Sequence, residues 1–267
     1  MFSIVKRASL IMSSSPLSKL ASDPSNRLIR VSEKLAVLSR HLRLYNPPPN
    51  SDITDAKERM IEETTGKVVS QLGFVESATP VARQLDRFHQ PKRAAVLICL
   101  FEGEDGDFRV ILTKRSSNLS THSGEVSLPG GKADEGDEDD SATAMREANE
   151  EIGLNPSLVN VVTVLEPFMS KHLIRVIPVI GILSEKKSFR PVLNYNEVES
   201  IFDAPLEMFI KDKNRRSEER EWMGVKYLVH YFDYETDNGK YLIWGLTAGI
   251  LIRAASVVYQ RHPSFVV

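Results

Sequence analysis

Cysteine is almost missing from this chain: Cys99 is the only one in 267 residues. No intramolecular disulfide can form, which excludes a disulfide-stapled scaffold and fits a reducing compartment. Cys99 lies within the apolar run Ala94–Phe101 and reads as a small core hydrophobe rather than a nucleophile. Net charge is also scant, at -2 from 34 basic and 36 acidic residues, and no long basic tract occurs. Nucleic acid is therefore not an expected partner. No apolar run approaches the roughly 20 residues needed to span a bilayer, so no membrane span is expected. Acids are absent from Met1–Ala21, where Lys6, Arg7 and Lys19 precede the first carboxylate, Asp23, and Ser13-Ser14-Ser15 adds hydroxyls. That composition is shared by organellar transit peptides and ordinary tails. The implied address is the mitochondrion; a start at Met12 would remove half the signal and leave a cytoplasmic protein. The C-terminal Pro263-Ser-Phe-Val-Val267 is not a Ser-Lys-Leu-type peroxisomal address.

What is present suffices for one substantial core, since 42% of the residues are hydrophobic. Leu28, Val31, Leu35, Leu38, Leu42 and Leu44 recur at helical spacing, which predicts a helix over Asn26–Tyr45, stopped by Pro47-Pro48-Pro49. Lys67–Val75 reads as a short helix or strand. Residues 1–21 are the candidate transit peptide, 22–90 an N-terminal extension outside the catalytic core, and 91–262 the main domain. Within it Arg93–Phe101 and Phe108–Lys114 predict a strand hairpin, and Glu125–Leu128 a short extended piece broken by Pro129-Gly130-Gly131. Asp139–Ile152 predicts a helix with Gly153 at its C-terminal cap. Val159–Leu165 and Ile174–Leu183 read as strands, and Glu197–Ile210 as strand and helix in some order. Tyr227–Tyr234 and Tyr241–Trp244 form a hairpin around Asp237-Asn238-Gly239. Gly245–Gln260 reads as a closing amphipathic helix. Strands and helices mix without βαβ alternation, so the expected class is α+β with a mixed sheet.

The chemistry concentrates in Arg146-Glu147-Ala148-Asn149-Glu150-Glu151-Ile152-Gly153-Leu154. On a helical wheel Glu151 falls about 40° from Glu147, and Glu150 about 60° to its other side. Ala144, Met145, Ala148 and Ile152 fill a neighbouring arc that can pack on a sheet. Three like charges so close repel one another, and a bound cation would remove that cost. Oxygen-only ligands suit Mg²⁺ or Mn²⁺ rather than zinc. Taken alone, the same run also reads as a solvated acidic face.

The stretch Gly131–Leu154 resembles the Nudix box, Gly-x5-Glu-x7-Arg-Glu-apolar-x-Glu-Glu-x-Gly-apolar. Gly131, Glu138, Arg146, Glu147, Ala148, Glu150, Glu151, Gly153 and Leu154 find counterparts. Six residues rather than five separate Gly131 from Glu138, so Glu138 need not superpose on the family's first glutamate. Leu112–Gly131 is similar to the element preceding the box in coenzyme A diphosphatases of the Nudix superfamily, where the extra loop residue also occurs. Leu128 stands in place of the commoner Phe, and Ser120 where a basic residue is frequent. The resemblance covers about Arg93 to Val258 and is closest to plant mitochondrial and cytosolic members, including the run Ile243-Trp244-Gly245-Leu246-Thr247.

That resemblance implies a Nudix fold, with a mixed β-sheet sandwiched between helices and an N-terminal helical extension. It implies metal-dependent hydrolysis of the diphosphate bond of coenzyme A or its thioesters, giving 3′,5′-ADP and an (acyl-)4′-phosphopantetheine. A hydrolase of ADP-ribose or NADH, and a non-catalytic nucleotide-binding Nudix module, are the alternatives. Glu147 and Glu151 are the first metal ligands, with Glu150 a further or water-mediated one; the base is Glu147, Glu150 or a carboxylate from a later loop. By wheel angle Arg146 points away from the acids and orients a glutamate, braces the loop or touches substrate. Arg115, Lys114 and Lys132 are candidate phosphate contacts, with Arg115 favoured for its bidentate grip. His122 either fixes its loop or meets phosphate. Gly130 and Gly131 permit close backbone approach or shape the turn. The expected partner is the small-molecule substrate, and a homodimer is left open.

Overall fold

The computed structural model describes residues 24–47, 92–170, 172, 174–222 and 225–267. The candidate transit peptide and the Lys67–Val75 element lie outside them. In chain order the elements are α1 (Pro24–Arg43), β1 (Arg93–Glu102), β2 (Phe108–Arg115), β3 (Val126–Ser127), β4 (Gly130–Lys132), α2 (Asp140–Ile152), β5 (Val159–Val164), β6 (Phe168–Met169), β7 (Arg175–Leu183), β8 (Val198–Pro205), β9 (Arg215–Trp222), β10 (Val225–Thr236), β11 (Gly239–Trp244) and α3 (Gly245–Tyr259).

β1 is apolar nearly throughout because both its faces are covered. Ala94, Ile98 and Leu100 join one hydrophobic cluster, while Ala95, Leu97, Cys99 and Phe101 join another on the opposite face. β1 runs parallel to β7 along its length. Its other edge is shared by β2 and β4, both antiparallel, at Leu100–Glu102 and Ala94–Val96 respectively. β2 also pairs with β3 and β8, and β7 with β5 and β6, completing a mixed eight-stranded sheet. α2 supplies Ala144, Met145, Ala148 and Ile152 to one face. α1 and α3 cover the other, with Leu35, Leu38 and Leu42 from α1 and Leu251, Ala254 and Ala255 from α3. The expected α+β class and the sheet sandwiched between helices are therefore observed. β9, β10 and β11 form a second, antiparallel sheet.

Several expectations change. α1 starts two residues earlier and ends two earlier than the predicted Asn26–Tyr45, and in space it is part of the core rather than outside it. The Tyr45 hydroxyl, just past its end, donates to Glu166 Oε2 at 2.9 Å and accepts from Arg253 Nη2 at 2.9 Å. Gly130-Gly131 does not simply break the chain: it forms β4 against β1. Glu197–Ile210 resolves into β8 followed by a 3₁₀ turn, Leu206–Ile210. β9 was not expected at all. α3 is buried around most of its circumference rather than along one stripe, because sheet, 3₁₀ turn and α1 all meet it.

Candidate active site

Helix α2 is held at both ends. The Asp139 side chain accepts from Ala142 N–H at 2.7 Å, and Gly153 adopts φ 68° so that its N–H returns to the carbonyls of Ala148 and Asn149. Small Ala144 and Ala148 are fully buried, which brings the helix down onto β1 and β4. Gly131 is required by that approach. A Cβ there would lie 2.5 Å from the carboxyl carbon of Glu147. Gly130, at φ 152°, would place a Cβ 2.4 Å from the Ala95 carbonyl oxygen. Both glycines, expected at phosphate or in a turn, thus make room for Glu147 and for β1.

Glu151 is 2% exposed. Its Oε2 accepts from Gly130 N–H at 3.1 Å, and Arg115 Nη1 stands 3.9 Å from its Oε1. Burial pushes its carboxyl up to about 7; Glu147 and Glu197 push the same way, and the Gly130 N–H and Arg115 oppose them. Glu147 is also raised, first by burial, with Arg146 opposing and Glu150 and Glu197 adding. Glu150 sits at the rim, its side chain 55% exposed, bound to Arg146.

Arg146 corrects the wheel. Its long side chain carries the guanidinium back to the acids, with Nη1 reaching Glu147 Oε1 at 3.0 Å and Glu150 Oε2 at 3.1 Å. Nε and Nη2 grip Asp137 at 2.9 and 3.0 Å, and Nη2 also donates to the Lys132 carbonyl. It orients a glutamate and braces the loop at once. Asp137, which also accepts from Thr143 Oγ1 and Asp134 N–H, is held well below the usual carboxylate range by Arg146.

The remaining cations divide. Arg115 faces Glu151, and its Nε has no hydrogen-bond partner. Lys114 is committed to Glu199 at 2.6 Å, and the Lys132 side chain is exposed. His122 lies in an exposed loop at φ 54° with Nδ1 2.9 Å from Glu125 Oε2, the loop-fixing arrangement.

Glu197 is the residue that sequence reasoning did not name. It precedes β8 in a loop bonded to two parts of the site: Asn194 N–H donates to the Glu151 carbonyl at 2.9 Å, and Ser116 N–H to the Glu197 carbonyl at 2.8 Å. Asn194 Nδ2 steadies its carboxylate at 3.1 Å. The only sequence signal was the polar turn Asn194-Tyr195-Asn196 ahead of a strand.

A family model described as the NUDIX domain matches residues 91–244, more than half of the chain. The chain belongs to the Nudix family. It is 74% identical over 205 residues to "Nudix hydrolase 15, mitochondrial" of Arabidopsis thaliana, covering 77% of this chain and 72% of that protein. It is 62% identical to "Nudix hydrolase 22, chloroplastic" of the same plant, covering 88% and 76%. Over 85% of this chain and 89% of the relative it is 32% identical to "Peroxisomal coenzyme A diphosphatase NUDT7" of Mus musculus.

Five residues separate Gly131 from Asp137, and it is Asp137 that binds the box arginine, while Glu138 is exposed. Nudix hydrolases generally use a divalent ion. Among the described residues no three His, Cys, Asp or Glu side chains stand close enough to grip one as placed, and Arg146 is bonded to both Glu147 and Glu150. The donor chemistry nevertheless fits: oxygen ligands only, and two carboxyls, Glu147 and Glu151, that burial raises despite the arginines beside them.

Proposed function

We propose that this chain hydrolyses the diphosphate bond of coenzyme A and/or acyl-coenzyme A, giving 3′,5′-ADP and (acyl-)4′-phosphopantetheine. The observation that carries the reading is the buried Glu151, facing the Arg115 guanidinium, with half-buried Glu147 one helical turn before it. Similarity to a relative named as a coenzyme A diphosphatase supports the choice of substrate.

A bound Mg²⁺ or Mn²⁺ would neutralise phosphate charge and lower the pKa of a water. Glu147 and Glu151 would hold it, with Glu150 at the rim. Arg115 offers its fork to a phosphate, in the role expected for it. Glu197, facing both acids and not tied to an arginine among the described residues, takes the proton of the attacking water. Water oxygen bonds to one phosphorus, the bridging P–O bond breaks, and its electron pair leaves with the other phosphate. Arg146, Asp137, Gly130 and Gly131 position this set, and His122 fixes the neighbouring loop. The organellar names of the two plant relatives favour an organelle as the site of action, the mitochondrion first. Among the described residues no helix is long and apolar enough to cross a membrane.

Product analysis tests the reading. Coenzyme A, acyl-coenzyme A, ADP-ribose and NADH are incubated with Mg²⁺ or Mn²⁺ and the products identified. Coenzyme A species should yield 3′,5′-ADP, and Glu151→Gln should abolish turnover while the far-ultraviolet spectrum stays unchanged. Turnover of ADP-ribose with coenzyme A left inert overturns it.

A further inference from the structure

The last turn of α2 and the loop before β8 are joined through backbone atoms. The Glu151 and Ile152 carbonyls stand where no following N–H of the helix reaches them, so they need partners from outside it. The loop supplies both: Asn194 N–H donates to the Glu151 carbonyl at 2.9 Å and Val192 N–H to the Ile152 carbonyl at 3.0 Å. From Asn194 the chain turns tightly. The Asn194 carbonyl accepts from Glu197 N–H at 2.9 Å and Val198 N–H at 2.8 Å, and its Oδ1 accepts from Asn196 N–H at 3.2 Å. The Glu197 carbonyl accepts in turn from Ser116 N–H at 2.8 Å, next to the Arg115 that faces Glu151. The circuit begins and ends at Glu151.

One polar atom of Asn194 remains, Nδ2. It donates to Glu197 Oε1 at 3.1 Å, and among the described residues no other side chain donates to that carboxylate. The amide has one workable orientation. Turned over, it would set its oxygen against the carboxylate and its NH₂ against the Asn196 N–H. The donor matters because of where Glu197 stands: its charge acts on both Glu147 and Glu151 and raises each carboxyl. Like charges drive an unheld glutamate side chain away from those two and into solvent. A neutral amide, anchored on the backbone of Glu151 itself, opposes that drift without placing a cation on the base.

Resting on the function proposed above, we propose that Asn194 is the positioning residue for Glu197: its Nδ2 holds the carboxylate where it takes the proton of the attacking water, and its N–H ties that place to the Glu151 backbone. Asn194 acts through Glu197 and takes no part in binding substrate.

Asn194→Asp separates the donor from the turn. Aspartate keeps an oxygen for the Asn196 N–H and forms such turns equally well, but it has no NH₂ and sets a charge against Glu197. kcat and KM for coenzyme A at saturating Mg²⁺ are measured for the full chain, Asn194→Asp, Glu197→Gln and the double variant. Glu197→Gln should lower kcat at least about 100-fold. Asn194→Asp should lower it roughly 10- to 100-fold with KM within about twofold. The double variant should fall no more than about twofold below Glu197→Gln, because the residue acted upon is already gone. A parent-like kcat in Asn194→Asp overturns the proposal, since the turn alone then suffices. So does an equal loss with and without Glu197, the mark of a loop that no longer docks, and so does a parent-like kcat in Glu197→Gln. If coenzyme A is inert, the function proposed above fails by itself. The same cycle run on ADP-ribose or NADH, whichever the parent turns over, then decides the part of Asn194.

Discussion

At the scale of single residues, the site depends on one arginine serving two groups of carboxylates. Arg146 holds Asp137 with two nitrogens and Glu147 and Glu150 with the third. Sequence spacing alone pairs the family's first glutamate with Glu138, one position on. In the structure it is Asp137 that binds Arg146, and the same carboxylate accepts from the Asp134 N–H and the Thr143 hydroxyl that close the loop. The two residues should behave oppositely. Asp137→Asn replaces a charged two-nitrogen grip by a neutral one, frees Arg146 to lean on Glu147, and should lower kcat/KM roughly 10- to 100-fold, the usual range for groups that orient metal ligands. Glu138→Gln should stay within about twofold. Steady-state kinetics on the two variants, with equal losses or the reverse ranking, would remove Asp137 from this role.

At the scale of elements, much was readable. The α2 wheel placed Ala144, Met145, Ala148 and Ile152 on a packing face, and all four are buried. β1, β2, β5 and β7 were visible because β-branched and apolar runs bounded by turns suit strands covered on both faces. What escaped was decided by tertiary pairing. β9 reads Arg-Arg-Ser-Glu-Glu-Arg-Glu-Trp and has no apolar periodicity; it becomes a strand because it pairs with β10 from Arg215 to Trp222. β4 is two glycines and a lysine, extended only because β1 offers its edge. Glu197 enters the site through backbone bonds that no local pattern announces. α1 was legible as a helix but its dock was not, since Glu166 and Arg253 are more than a hundred residues away in sequence. Tyr45→Phe tests that dock. It deletes the hydroxyl that joins α1 to the Arg253–Glu166 pair and leaves Glu166, 6% exposed, short of a donor. A loss of about 1–2 kcal/mol is expected. Calorimetry should show a melting temperature lower by roughly 2–8 °C; no shift would mean that leucine packing alone holds α1.

At the scale of the whole molecule, two buried groups make stability respond to pH in opposite directions. His230 is 4% exposed on β10; Arg215 Nη1 donates to its Nδ1 at 3.0 Å, so the proton rides on Nε2, which has no hydrogen-bond partner. Burial, then the charge of Arg215, pushes its pKa down to about 4. The unfolded chain therefore binds the extra proton between about pH 6.5 and 4, and the fold does not. This contribution is complete above pH 6.5 and is lost as pH falls through that window. Glu151 does the reverse: with its pKa raised to about 7, the folded chain holds a proton that the unfolded chain releases above about 4.5, so stability declines as pH rises through that range. The two slopes offset each other where the windows overlap, and a single pH profile would hide both. The comparison with His230→Leu separates them, because Glu151 and every other group are common to the two proteins. Urea midpoints at pH 7, 6 and 5 should show the parent losing stability relative to the variant on acidification, by up to about 1.4 kcal/mol per pH unit. Parallel profiles would show that His230 is charged within the fold, and that Arg215 turns away to Asp212, its other partner at 2.7 Å.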